Sequence, residues 1–284
     1  MAARPTPVVL VHGLRASRTM WRAQAEALEA AGRTTLAVDL PGHGRRLGER
    51  FTRAGAVAAV RDGVEAVGGR AVVVGLSLGG YTAVEHAARH PEQVAGLVAA
   101  ACSTRPHRLA LRAWGAAAWG FARLPDRGAA VNQWLVDRTM PPTAAADVGA
   151  GGFALDVVTD TLREMAGATP VADLARVTAP VWLVNGRWDH FRGEEARFLA
   201  ACRDGRLVVV PGATHLVSLV QPVRFTRVLL EALEEVDARE AGAGAVRPGA
   251  VRTGGVRTGG VRTGGVRTGG VRTGGVRTAG RPAT

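Results

Sequence analysis

Gly75-Leu76-Ser77-Leu78-Gly79 follows the apolar run from Ala71 to Val74 and leads into a helix-like segment. A strand, a tight glycine-flanked turn and a helix are the setting in which a serine projects its hydroxyl above a sheet. The turn forces the serine into a strained backbone conformation, and glycines on both sides, with Gly80 beyond, let the chain fold back on itself. The five-residue pattern alone is weak in a chain with 38 glycines. Its neighbours in sequence decide its meaning.

Working outward, apolar strand-like runs alternate with amphipathic segments from Thr6 to about Val236. Pro7 to His12, Thr34 to Asp39, Ala71 to Val74, Val94 to Cys102, Val181 to Asn185 and Leu207 to Val210 are the predicted strands. Helices are expected after Ser17, over 54–67, after Ser77, over 193–202 and over 223–236. Short, continuously apolar strands separated by helices indicate an α/β fold, a mostly parallel sheet of about six strands with helices on both faces. In such folds the chemistry collects at the strand ends. Between the fourth and fifth strands, residues 105–179 lack strand character but hold Trp114, Trp119, Phe121, Trp134, Met140 and Phe153. This insert reads as a helical cap over a site. Trp114, Trp119 and Trp134, with Trp188 nearby, are the candidate substrate contacts.

A serine hydroxyl needs a base within hydrogen-bond reach before it attacks anything. His215, in Pro211-Gly212-Ala213-Thr214-His215, follows the last strand and should emerge at the same sheet edge as Ser77. Asp189, in Asn185-Gly186-Arg187-Trp188-Asp189, follows the fifth strand and is the candidate for orienting that imidazole, with Asp160 and Asp173 in reserve. Backbone N–H groups of Leu78, opening the helix after the serine, and of Leu14, after His12-Gly13, are the candidate donors to a developing oxyanion.

Composition bounds the partners. All 36 basic residues are arginine and the formal net charge is +12. Eight of those arginines lie beyond residue 245, leaving 28 against 24 acids in the body, so the body gives no argument for nucleic acid binding. Residues 246–284 begin with seven five-residue units, five of them Val-Arg-Thr-Gly-Gly, that end at Gly280 and are too polar and glycine-rich to bury a core; a disordered tail over 246–284 is expected after a domain at 1–245. Cys102 and Cys202 have no metal-ligand spacing and read as reduced packing residues, which makes the cytoplasm the expected compartment. Neither a signal peptide nor a membrane span is expected. Neither a metal nor a cofactor is expected.

Together these residues resemble the α/β-hydrolase family in its serine-hydrolase branch. The resemblance covers residues 6–236 and rests on His12-Gly13, Asp39-Leu40-Pro41-Gly42-His43-Gly44, the turn around Ser77, the Asn185–Asp189 segment and Gly212-Ala213-Thr214-His215. It implies an α/β-hydrolase fold and a Ser77, Asp189, His215 triad acting on a small molecule, with an ester or thioester of small to moderate apolar character expected. Carbon–carbon bond hydrolases and non-catalytic receptors of the same fold are the alternatives. Relatives with aspartate in place of the serine are excluded by Ser77. The pyruvate-removing enzyme of menaquinone synthesis favours arginine where this chain has Tyr81. Family members usually begin with a hairpin before the His-Gly strand; only about five residues precede it here, which predicts a sheet trimmed to six strands.

Overall fold

The computed structural model describes residues 4–245 apart from Ala122, Pro125 and Arg127. The repeat tail from residue 246 lies outside the described residues. The elements run in chain order β1 (Val8–Val11), α1 (Arg22–Ala30), β2 (Thr35–Val38), α2 (Arg53–Ala66), β3 (Ala71–Leu76), α3 (Leu78–Arg89) and β4 (Val94–Ala100). There follow α4 (Arg108–Phe121), α5 (Ala129–Thr139), α6 (Pro142–Ala150), α7 (Val158–Met165) and α8 (Pro170–Leu174). The chain closes with β5 (Val181–Gly186), α9 (Glu195–Ala201), β6 (Gly205–Val210), α10 (Val217–Val220) and α11 (Pro222–Ala245).

The six strands form one sheet in the order β2-β1-β3-β4-β5-β6. Every neighbouring pair is parallel, with Val9 opposite both Leu36 and Val73, and Val98 opposite Trp182. Valine dominates the strands because a β-branched side chain packs well on a pleated surface covered on both sides. Side chains alternate between the faces. Val9, Val11, Val73, Leu97 and Leu183 pack with Val60, Leu174 and Phe198 on one side. Val8, Leu10, Val72, Val74 and Val184 pack with Trp21, Phe225 and Leu229 on the other. Each such fully buried side chain contributes about 1.5–3 kcal/mol of transfer free energy, so both layers are needed to hold the sheet flat-sided and dry.

The first strand lies inside the sheet: β2 adds on one side of it and β3 on the other. The order therefore reverses between β1 and β3, and the loops leaving their C-terminal ends splay apart to leave a crevice. Ser77 and the Gly13-Leu14 loop flank it.

Two strands, β3 and β5, run past the predicted ends, and β6 starts two residues earlier than the sequence suggested. The closing helix, expected over 223–236, continues to Ala245. Its extension is anchored: Asp237 accepts hydrogen bonds from the Thr6 N–H at 3.0 Å and from Arg33 at 2.7 Å, and Glu240 pairs with Arg70 at 3.1 Å. The segment between β4 and β5 is helical, carrying α4 to α8. Among the described residues, no helix is long and apolar enough to cross a membrane.

Candidate active site

Ser77 joins the last residue of β3 to the first turn of α3 with φ 55° and ψ −115°, a positive φ that a non-glycine residue adopts only when its surroundings enforce it. They do so through backbone bonds: the Ser77 N–H donates to the Ala100 carbonyl at 2.8 Å, and the Tyr81 N–H donates to the Ser77 carbonyl at 3.0 Å. Space does the rest. A methyl group on Gly75 would stand 2.6 Å from the Gly80 nitrogen, and one on Gly79 would stand 2.6 Å from the His12 carbonyl oxygen. The glycines flanking the serine are thus required by backbone-to-backbone approach.

The loop after β6 brings His215 to this point. Its Nε2 lies 3.0 Å from Ser77 Oγ, and its Nδ1 lies 3.0 Å from Asp189 Oδ1. A carboxylate can only accept, so Nδ1 carries the proton and Nε2 is left to accept from the serine hydroxyl. Asp189 Oδ1 also accepts the Phe191 N–H at 2.8 Å. The carboxylate is fully shielded from solvent, and Oδ2 is buried without a hydrogen-bond partner among the described residues. The loops bearing the two residues are tied together: the Arg187 N–H donates to Val210 and the Trp188 N–H to Ala213, at 3.0 and 2.9 Å. Gly186 allows this approach, since a methyl there would meet the Ala213 carbonyl at 2.7 Å. Asp160 and Asp173 are engaged elsewhere, by Arg163 and Arg176 at 2.7 and 2.6 Å.

Among the described residues, neither the Leu14 nor the Leu78 N–H has an acceptor in the protein, and both residues border the space beside Ser77. The Leu14 loop is held from behind by His12, whose Nε2 accepts the Leu40 N–H at 3.0 Å while Nδ1 donates to the Gly13 carbonyl at 2.8 Å. That bonding requires a neutral ring. Complete burial, with His43 alongside, pushes the His12 pKa down to about 3. The Asp39–Gly44 segment completes the support, Asp39 accepting from the Arg18 and Arg45 N–H groups at 2.8 and 3.1 Å.

Ser77 and His215 open into a cavity of about 300 Å³, at the small end of the range for small-molecule sites. Its wall is mostly apolar, with Met20 and Leu219 from the body and Trp114, Val136 and Val148 from α4, α5 and α6. Of the four tryptophans expected to touch substrate, only Trp114 is among the lining residues. Trp119 stacks under the Arg123 guanidinium and is 55% exposed, and Trp188 is 70% exposed. Trp134 is 61% exposed. Helical geometry explains the split: Trp119 is five residues from Trp114, about 140° around the helix, and Trp134 is two residues from both Asn132 and Val136, on the opposite side of α5. Phe191 and Asn132 were not anticipated and do line the cavity. The Phe191 ring lies 4.8 Å from the His215 ring, and that of His190 lies 5.0 Å from it. Burial and the neighbouring His215 lower the His190 pKa. Asp189, His190 and His215 present ligand atoms within 4.8 Å of one another, but a metal ion held there would compete for the groups that bond Ser77 and His215.

The chain is 31% identical over 247 residues to a pimeloyl-(acyl-carrier protein) methyl ester esterase of Neisseria meningitidis serogroup B, covering 80% of this chain and 92% of that protein. It is 28% identical over 244 residues to the enzyme of the same name from Nitrosospira multiformis, covering 77% and 90%. In fold it is similar to a thermophilic esterase from Thermogutta terrifontis, with a TM-score of 0.67 at 24% identity over 83% of this chain and 92% of that one. The model of the alpha/beta hydrolase family matches residues 8–228, a span that takes in every strand and all three residues of the hydrogen-bonded series. The chain belongs to the alpha/beta hydrolase family.

Proposed function

We propose that the protein hydrolyses carboxylic esters through a covalent acyl-Ser77 intermediate, and that the carrying observation is the unbroken hydrogen-bonded series from Ser77 Oγ through His215 to Asp189. On attack, His215 Nε2 takes the serine proton as Oγ bonds to the substrate carbonyl carbon. The carbonyl oxygen becomes an oxyanion facing the Leu14 and Leu78 N–H groups, each worth about 3 kcal/mol of barrier; the second also benefits from the positive end of α3. Collapse breaks the bond to the leaving oxygen, which departs with the proton from Nε2. A water molecule then gives a proton to Nε2, attacks the acyl carbon and releases the acid, returning the proton to Ser77. Asp189 holds the tautomer and faces the imidazolium formed at each transfer.

The apolar wall around Trp114 suits an acyl chain, and the curated relatives cleave the methyl ester of a carrier-bound pimeloyl chain. A methyl or other small alkyl ester of an extended acyl group is therefore the substrate class proposed. Both cysteines are unpaired, which supports a reducing, cytoplasmic setting. The test is labelling with a fluorophosphonate, alongside turnover of a panel of p-nitrophenyl esters, acyl thioesters and lactones, with Ser77→Ala as blank. An adduct on Ser77 and turnover strongest on oxygen esters are expected. Absence of any adduct on folded protein at saturating probe would sink the reading.

A further inference from the structure

Arg15 follows Leu14 in the loop after β1 and has φ 66°, a second non-glycine residue held in the left-handed region at the crevice. Its carbonyl accepts the Ala154 N–H at 3.3 Å, which ties the loop to the segment before α7. The side chain lines two spaces at once: the cavity at Ser77 and an adjoining one of about 150 Å³, and Leu14, Trp114 and Asn132 are shared between them. Strain of this kind is maintained where a side chain has to be aimed.

Half-buried arginines of the fold are matched by acids, as Arg18 is with Asp39 and Arg53 with Glu85; Arg15 is more exposed than these, with one side open to solvent and the other against the cavity walls. Among the described residues, the Arg15 guanidinium has no such ion pair and no hydrogen bond. Among the described residues, no carboxylate lines the cavity at Ser77, and apart from its two histidines Arg15 is the only ionisable one that does. Asp156, which lines the adjoining cavity, is itself engaged. Crowding by the walls desolvates the guanidinium and lowers its pKa. Asn132 supplies a second donor: it is 6% exposed, and its Nδ2 is buried without a partner among the described residues. A cation and an amide N–H₂, both unsatisfied and both bordering the same pair of cavities, form a place that an oxyanion completes, since charge-assisted bonds to a planar guanidinium are among the strongest available.

We infer that Arg15, with Asn132, forms an anion-binding subsite that holds a carboxylate or phosphate carried by the substrate, one residue away from the oxyanion donor Leu14. The inference rests on the esterase reading for its substrate but not for its binding. It makes the preferred substrate an ester with a negatively charged far end, set apart from the scissile carbonyl by an apolar spacer that runs past Trp114.

Two measurements test it on the full chain. In the first, kcat/KM is compared between methyl half-esters of dicarboxylic acids of four to ten carbons, methyl esters of matched monocarboxylic acids, and the same acyl chains ending in a phosphate ester. A preference of about ten- to a hundredfold for a charged end over its neutral match is expected, the range for one hydrogen bond to a charged group. Whichever anion is favoured names its source. Arg15→Gln should lower kcat/KM on the charged ester far more than on the neutral one, chiefly through KM, and Arg15→Lys should restore part of the preference. Equal turnover of charged and neutral esters at every length, or equal losses on both in Arg15→Gln, overturns the subsite. In the second, thermal stabilisation by suberate and by inorganic phosphate is measured in Ser77→Ala with and without Arg15→Gln. Stabilisation that depends on Arg15, with no ester turned over by the chain that keeps Ser77, would leave the subsite standing and remove the esterase reading; stabilisation independent of Arg15, or none from either anion, counts against the subsite.

Discussion

Asp189→Asn isolates the charge in the site from its shape. An asparagine carbonyl in place of Oδ1 can still accept the Phe191 N–H at 2.8 Å and the His215 Nδ1–H at 3.0 Å. What it cannot supply is a negative charge beside the imidazolium that forms when His215 takes the serine proton. At 3.0 Å and an effective dielectric constant of ~20, Coulomb's law gives about 5.5 kcal/mol for that pair. The carboxylate is fully shielded from solvent, so water does little to reduce the figure. About 5.5 kcal/mol corresponds to four orders of magnitude in rate, the same size as the loss found when this carboxylate is neutralised in other Ser-His-Asp sites. The expected outcome is a kcat for p-nitrophenyl butyrate lowered by about 10³ to 10⁴, with KM and the melting temperature little changed. Steady-state kinetics on the purified variant, with the Ser77→Ala rate subtracted, provide the number. A loss of less than tenfold would refute the reasoning and hand the orienting role to another group.

Acidification should destabilise the fold through histidines buried in neutral form. Burial pushes the pKa of His12 down to about 3 and that of His86 to about 4, so on lowering the pH the unfolded chain takes up protons first, near 6.5, and stability falls from there until the folded-state values are reached. Each ring costs roughly 2 kcal/mol between pH 7 and pH 5, and urea midpoints for His86→Leu, which loses one of these rings, should decline less steeply than the parent's; identical slopes would exclude His86 as a source. Gly79→Ala places a methyl 2.6 Å from the His12 carbonyl and is expected to lower stability by about 3 kcal/mol and abolish fluorophosphonate labelling. Gly120→Ala, with nothing within 4 Å, should gain about 0.5–1 kcal/mol, and a reversal of these two signs would contradict the packing described.

The sheet was legible because its strands are runs of valine, leucine and alanine with no other stable home than an interior layer. Ser77, Asp189 and His215 were legible because each follows a strand, and a parallel sheet delivers all such loops to one edge. The insert was legible only as helix. Periodicity says that Trp114 and Trp119 lie on different sides of α4, but not which side meets the body, since that depends on contacts with α7 and the loops beneath. Phe191 and Asn132 lacked a signal for the same reason: an aromatic or amide earns its place here through distant neighbours. The last nine residues of α11 were missed because Asp237–Ala245 lacks a strong apolar stripe, and the tether to Arg33 and Thr6 compensates.

Val11 and Gly75 face each other across β1 and β3, so the Leu14 amide and the Ser77 hydroxyl emerge from two adjacent rails whose gauge is set by main-chain pairing. The gap between attacking atom and anion donor is thus indifferent to whatever side chains decorate the chamber above. Helices of the insert are free to diverge and admit new guests, while the tooling below keeps its tolerances.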